Sequence, residues 1–238
     1  MKSTEHVVNR IATIYNGFSE KFGIPRQSGL TDAESVIRFE VSYRNADALR
    51  GLEQYSHLWL IWWFSEFSGA GWSPTVRPPR LGGNKRMGVF ATRSPNRPNP
   101  IGLSLVEIVR IDLSTSNGPE IVVRGADILS GTPILDIKPY LPYADARPDA
   151  LGGFAQERLN YALRVEISEE LLNKIPKQHR STVVRLLEHD PRPAYQSDIQ
   201  RIYTMVYDGL SVRFRVNDGT LHVVEILRGT NTRNVSGT

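Results

Sequence analysis

Short apolar runs with a period of two, punctuated by glycine and proline, constrain this 238-residue chain more than any other feature. Ile37, Phe39 and Val41 alternate with Arg38 and Glu40, the pattern of a strand with one face in a core and the other in water. Val7–Tyr15 is rich in β-branched residues, and His57–Phe67, Met87–Thr92, Leu103–Leu113, Glu120–Ile128 and Tyr161–Ile167 extend the series. The most apolar run, Leu58–Phe64 (LWLIWWF), falls well short of the roughly 20 residues a membrane helix needs and reads as a buried strand, with Trp59, Trp62 and Trp63 in the core. Between these runs only Asn45–Tyr55 has a helical pattern, with Ala48, Leu49 and Leu52 on one face. Strands with so little helix between them predict a mainly β fold, an antiparallel barrel or sandwich rather than a βαβ wind.

After Ile167 the pattern changes. Ser168 suits the N-cap of a helix over Glu169–Ile175 that Pro176 ends, and Val183, Val184, Leu186 and Leu187 mark a second helix stopped by Pro191. Ile202–Tyr207, Leu210–Val216 and Thr220–Leu227 predict a three-stranded meander turning at Asp208-Gly209 and Asn217-Asp218-Gly219. In its middle strand Val212, Phe214 and Val216 alternate with Arg213 and Arg215, so one face is core and the other basic. The expected division is a β domain over 1–167, a small α+β subdomain over 168–228, and a loose tail, 229–238, too poor in apolar residues to pack.

Charge then narrows the function. Between Glu66 and Glu107 there is no acid, but there are six basic residues (Arg77, Arg80, Lys85, Arg86, Arg93, Arg97) and six of the fifteen prolines. Guanidinium forks on a proline-stiffened loop suit an anionic, planar partner held in fixed geometry. The net charge of +4 leans the same way without requiring it. The chain has no cysteine, which removes disulfides, thiolate metal sites and thiol nucleophiles together. His6, His57, His179, His189 and His222 show no metal-ligand spacing, so no metal is expected. There is no Walker or zincin motif, and Gly69-Ala70-Gly71 leads into Trp72 and Pro74 rather than a helix, so no dinucleotide fingerprint exists. The N-terminus lacks the long apolar stretch of a secretion signal, and a soluble, cytoplasmic protein without membrane contact is expected.

Four segments carry chemistry. Phe22–Leu30 is a rigid turn presenting Arg26 and Gln27, and Arg77–Arg86 combines fixed prolines with Gly82-Gly83, where main chain can approach a ligand closely. In Arg93–Gly102 each proline pushes the preceding residue to extended geometry, aligning the donors of Arg93, Arg97 and Asn99. In Asp127–Tyr140, Asp136 and Lys138 stand two apart on one strand face, where each can hold the other charged. His57 beside an apolar run reads first as a satisfied core histidine.

Together and in this order, these segments resemble the TsaA/TrmO (YaeB-like) family of tRNA methyltransferases, which methylate N6 of N6-threonylcarbamoyladenosine beside the anticodon. The matching runs are Lys21-Phe22 with Pro25-Arg26-Gln27, Gly51-Leu52-Glu53 with Ser56–Trp59, Arg77–Gly102, Asp127 with Gly131-Thr132-Pro133, Asp136–Pro142 and Asp190–Tyr195. The resemblance implies a β-barrel that binds S-adenosylmethionine without a Rossmann fold, a homodimer, and a C-terminal subdomain that assists recognition of tRNA carrying N6-threonylcarbamoyladenosine. It also implies cofactor contacts at Pro25, Arg26, Gln27, Ser65, Glu66, Arg93, Leu103, Ser130, Gly131, Thr132 and Pro133.

For that reaction Asp136 is the first candidate for a base, Lys138 would orient it, and His57 is the second. The substrate's own carboxylate is a third possibility. Arg77, Arg80, Asn84, Arg86, Arg97, Asn99, Tyr140, Arg192, Arg213 and Arg215 are the candidate tRNA contacts. Two alternatives stay open on sequence: a non-catalytic RNA-binding barrel, and an S-adenosylmethionine-dependent methyltransferase of a small molecule.

Overall fold

The computed structural model of the chain describes residues 6–67, 71–78, 85–158, 161–192 and 198–229. Arg80 and Asn84, the Pro193–Tyr195 part of the C-terminal motif and the expected tail beyond residue 229 lie outside the described residues. In chain order the strands are β1 (Ala12–Asn16), β2 (Glu34–Phe39), β3 (His57–Trp63), β4 (Thr75–Val76), β5 (Met87–Gly88), β6 (Ile101–Thr115), β7 (Gly118–Arg124) and β8 (Thr132–Pro139). A one-turn helix α1 (Pro142–Asp145) follows, then β9 (Arg164–Glu166), α2 (Glu169–Lys174), α3 (Arg180–Glu188), β10 (Tyr203–Tyr207), β11 (Leu210–Asn217) and β12 (Thr220–Arg228).

Six strands close a barrel in the order β1-β2-β7-β6-β3-β8, every neighbouring pair antiparallel. This is the antiparallel barrel the alternating runs predict. Closure removes free sheet edges, and the inward residues fill the interior. Ile14, Ile37, Leu58, Leu60, Ile121 and Ile134 are fully buried there, each contributing about 1.5–3 kcal/mol by leaving water. A second sheet, β10-β11-β12-β9, packs under α2 and α3 around its own core of Val183, Leu187, Met205, Val212 and Phe214. Phe18, just after β1, inserts into that second core, with its ring 5.2 Å from Tyr207. Asp32 ties the same region to α3, because Ser181 and Thr182 hydroxyls each donate to its carboxylate at 2.7 Å.

The C-terminal elements follow their sequence signals closely. Ser168 caps α2 by accepting from the Leu171 amide at 3.3 Å, and the meander turns where Asp208-Gly209 and Asp218-Gly219 take positive φ.

Six expectations need correction. Strand β2 stops at Phe39, and Val41, expected on its core face, lies exposed in a 3-10 turn because the chain leaves the sheet at Glu40. Strand β1 begins only at Ala12: its pairing with β2 and β8 runs out there, with Ile11 making the last backbone bonds to Ile134 and Glu40, and Val7 and Val8 lie exposed. Asn45–Tyr55 forms two short 3-10 turns rather than a helix, since Gly51 at φ +88° breaks the run and only Leu49 is buried. Of Met87–Thr92 only Met87–Gly88 is strand, after which the chain turns at Val89–Ala91. Residues Arg164–Glu166 pair in parallel with β12 in the second sheet, not with the barrel. Finally, Trp59 and Trp63 point outward and only Trp62 enters the core, as period-two parity demands.

Candidate active site

Strand β6 emerges directly from the acid-free loops, and its residues Gly102, Ser104 and Val106 face inward. Gly102 lies opposite Trp62 in the register. A Cβ at 102 would overlap the indole, so glycine is what lets the ring lie against β6. So placed, Trp62 Nε1 donates to Ser104 Oγ at 3.0 Å, and Ser104 Oγ donates to Asp127 Oδ1 at 2.5 Å. Phe64 packs on the indole with ring centroids 4.1 Å apart.

Asp127 is the acid at the centre of this arrangement. Burial pushes its carboxyl above the usual value, while the Ser104 hydrogen bond and the nearby Arg93 charge pull partly against that shift. Arg93 Nη1 donates to Gln27 Oε1 at 2.5 Å, and Gln27 Nε2 donates to the Arg26 carbonyl at 2.5 Å. The Pro25–Gly29 turn is pinned to the barrel where Ser28 Oγ accepts from the Leu105 amide and the Gly29 amide donates to Gly125 O.

Two cavities meet at this turn. The smaller, about 550 Å³, has apolar walls at Trp62, Phe64 and Leu103 and polar groups at Gln27, Arg93 and Asp127. The larger, about 830 Å³, opens between the acid-free loops and the C-terminal elements, with Lys21, Arg77, Asn96, His189 and Arg192 on its wall. Pro25, Arg26, Gln27, Thr92, Arg93 and Pro95 line both. Both volumes lie within the roughly 300–1,000 Å³ range of small-ligand sites. S-adenosylmethionine fits the smaller one chemically. Its adenine matches the aromatic wall, its carboxylate matches the Arg93 guanidinium, and its cationic sulfonium matches the Asp127 acid.

Of the residues the sequence singles out for cofactor, Pro25, Arg26, Gln27, Arg93 and Leu103 line the smaller cavity; Ser65, Glu66 and Ser130–Pro133 line neither. Glu66 stands 3.6 Å from Lys21. The 130–133 turn is held to β1, with Ser130 Oγ accepting from the Asn16 amide and the Gly131 amide donating to Ile14 O. Asp136, Lys138, His57 and Tyr140 line neither cavity either. Asp136 and Lys138 pair at 2.9 Å on the outer barrel face, the lysine exposed and the aspartate half-buried, and His57 shares a hydrogen bond with Ser56 Oγ at 2.8 Å beside the Tyr140 ring.

Among the expected tRNA contacts, Arg97 and Asn99 reach the smaller cavity and Arg77 the larger, while Arg86 donates to Thr75 Oγ1 on the β4–β5 hairpin. Arg192 is bound through two guanidinium nitrogens to Asp190, and Arg213 is paired with Glu225. Arg215 is exposed. Sequence reasoning placed Trp62 in the core, named Asp127 only as the opening of the fourth motif without a role, and passed over Ser104. The signal was present in the inward parity of Ser104 and in the Asp127 that opens the fourth motif.

Comparison with known proteins agrees with this architecture. The model of the tRNA-methyltransferase O N-terminal domain matches residues 13–146, and that of the TrmO C-terminal domain matches residues 160–229. The chain belongs to the TrmO family. It is 41% identical over 223 residues to the tRNA (adenine(37)-N6)-methyltransferase of Escherichia coli strain K12, covering 90% of this chain and 94% of that one. It is 51% identical over 168 residues to the protein of the same name from Eikenella corrodens, covering 69% and 93%. The fold superposes on a crystal structure of TrmO from Pseudomonas aeruginosa with a TM-score of 0.77 at 32% identity, covering 96% and 99%. Among the described residues no three His, Asp or Glu side chains form a metal-binding group, and no helix is long and apolar enough to cross a membrane.

Proposed function

We infer that this chain transfers a methyl group from S-adenosylmethionine to N6 of adenosine 37 in tRNA, with N6-threonylcarbamoyladenosine as the nucleoside it accepts. The observation that carries the mechanism is the smaller cavity, where a buried acid, a guanidinium and an aromatic wall converge. When bound, S-adenosylmethionine supplies an electrophilic methyl group on a sulfonium. The protein's share is to hold N6 in line with that methyl and to accept a proton. An N6 that is part of a carbamoyl group is a poor nucleophile but a better acid than a free amine, so a nearby base helps it most.

Asp127 takes that role in this reading. It is the acid at the cavity, its proton affinity is raised by burial, and Ser104, itself held by Trp62, fixes the carboxylate. Arg93, with its partner Gln27, stands ready for a carboxylate of donor or substrate. The larger cavity, basic at Lys21 and Arg77, receives the anticodon loop, whose unstacked bases proteins read directly. The C-terminal elements form its far wall and assist that recognition.

Incubation with S-adenosylmethionine and tRNA, followed by mass spectrometry of the nucleosides, tests the function. One methyl should be gained on N6-threonylcarbamoyladenosine and none on tRNA lacking the threonylcarbamoyl group. A pure RNA-binding barrel gives no gain on either.

The outer barrel face supports a homodimer. Strand pairing places Leu103, Ile61 and Asp136 in one row across β6, β3 and β8, and Leu105, Trp59 and Lys138 in the next, neighbouring strands being about 4.8 Å apart. With Trp63 and Ile101 this makes an apolar patch, Leu103 being 52% and Ile101 39% exposed. A second copy covering it would bury this surface and the Asp136–Lys138 pair together. Wild type should sediment as a dimer and Ile61→Lys as a folded monomer; a monomeric wild type removes the dimer.

A further inference from the structure

The guanidinium of Arg26 is held by a turn about 160 residues away along the chain. Its Nη2 donates to the carbonyl oxygens of both Asp190 and Arg192, each at 2.8 Å. Two carbonyls converge on one nitrogen only if the turn between them is tightly folded, and the Asp190 side chain does the folding. Asp190 is buried and adopts φ +48°, left-handed geometry that residues other than glycine rarely take. Its Oδ1 accepts from the Arg192 amide at 3.3 Å and from Arg192 Nε at 2.8 Å. Its Oδ2 accepts from Arg192 Nη2 at 3.0 Å and from the Tyr161 hydroxyl at 2.9 Å. Burial alone would raise the Asp190 carboxyl, but the Arg192 and Tyr161 hydrogen bonds outweigh it and hold the group below its usual value. Asp190 is therefore an anchored anion.

The chain of contacts runs onward into the site. The Arg26 carbonyl accepts from Gln27 Nε2, Gln27 Oε1 accepts from Arg93 Nη1, and Arg93 lines both cavities. We propose that Asp190 is a positioning residue for methyl transfer: it shapes the 190–192 turn that clamps Arg26, and through Arg26 and Gln27 it fixes Arg93 at the donor cavity. Arg192, whose guanidinium is already engaged by Asp190, acts in the same clamp rather than as a phosphate grip. The C-terminal elements thus help set the geometry of the methyl-donor pocket as well as meeting tRNA. This rests on placing the donor in the smaller cavity.

A double-mutant cycle on the full chain tests it, using Asp190→Asn and Arg26→Lys singly and together. The readouts are the KM and calorimetric Kd for S-adenosylmethionine, kcat on tRNA, and the melting temperature. Each single variant should weaken donor affinity by about fivefold or more, and the double variant should be little worse than the weaker single, since residues of one network are non-additive. Tyr161→Phe, which removes one hydroxyl donor to Asp190, should shift donor KM the same way by a smaller factor; it keeps the test open if Asp190→Asn fails to fold. Additive effects would overturn the proposal. So would a lower melting temperature with donor KM unchanged, the mark of a purely structural clamp. Arg93→Ala tests the donor placement separately. Unchanged donor affinity in that variant moves the donor elsewhere and takes the proposal with it, whereas weakened affinity with an additive cycle rejects the clamp alone.

Discussion

Asp127→Asn should lower kcat for tRNA methylation by about 10²- to 10⁴-fold, the usual contribution of a positioned general base. The asparagine keeps the shape of the side chain and an oxygen that can accept from Ser104, so donor affinity should change far less than turnover. The pH behaviour follows from the raised carboxyl pKa. Above the ordinary value of 3.8 and up to its folded value, Asp127 holds a proton in the folded chain that the unfolded chain has lost. Stability contributed by that proton falls as pH rises through this window, and at neutral pH the buried anion is a standing cost. The acid limb of the kcat/KM profile, which reports the free enzyme, should therefore be shifted upward by Asp127 and lose that contribution in Asp127→Asn. The variant should also melt at a higher temperature than wild type at pH 7, an activity–stability trade-off common at strained sites. Unchanged kcat would remove Asp127 as the base.

Gly102→Ala should be the most damaging single methyl added to the site. The new Cβ would occupy space taken by the Trp62 indole, and overpacking of this kind costs about 1–3 kcal/mol. The indole can yield only by leaving Ser104, which then loses the donor that orients it towards Asp127. Melting temperature, donor affinity and kcat should all fall together. Gly88→Ala is the matched control, because a Cβ there meets no atom within 4 Å and the backbone sits at φ −58°. Its stability should stay within about 0.5 kcal/mol of wild type. A stable and fully active Gly102→Ala would show that the Trp62–Ser104–Asp127 chain has no part in catalysis.

The legible parts of the fold were those where local pattern and tertiary setting agree. The meander of β10–β12 combines clean alternation with Asp-Gly turns, and Ser168 caps α2 as its position predicts. Strand β8 was obscured because its charged pair, Asp136 and Lys138, stands on the outer face of a barrel strand broken by a register shift at Ile61/Trp62. The pair forms two apart on one strand face as the spacing predicts, but on the side away from both cavities. Asn45–Tyr55 has helical periodicity, but one left-handed glycine in its middle outweighs the pattern. At the site, the acid-free loops and the Pro25-Arg26-Gln27 turn were visible as motifs. The Ser104–Asp127 bond and the Arg26–Asp190 clamp were not, because each joins residues that only barrel closure and the packing of the second sheet bring together. Pairing of Arg192 and Arg213 with acids escaped notice for the same reason: their partners are a matter of register and turn geometry.

Backbone hydrogen exchange with and without S-adenosylmethionine shows where the donor sits. Amides of Arg26, Gln27, Thr92 and Arg93, in the two segments that line both cavities, should slow on donor addition. Unaltered exchange in both segments under saturating donor would place methyl transfer outside the acid-lined cavity.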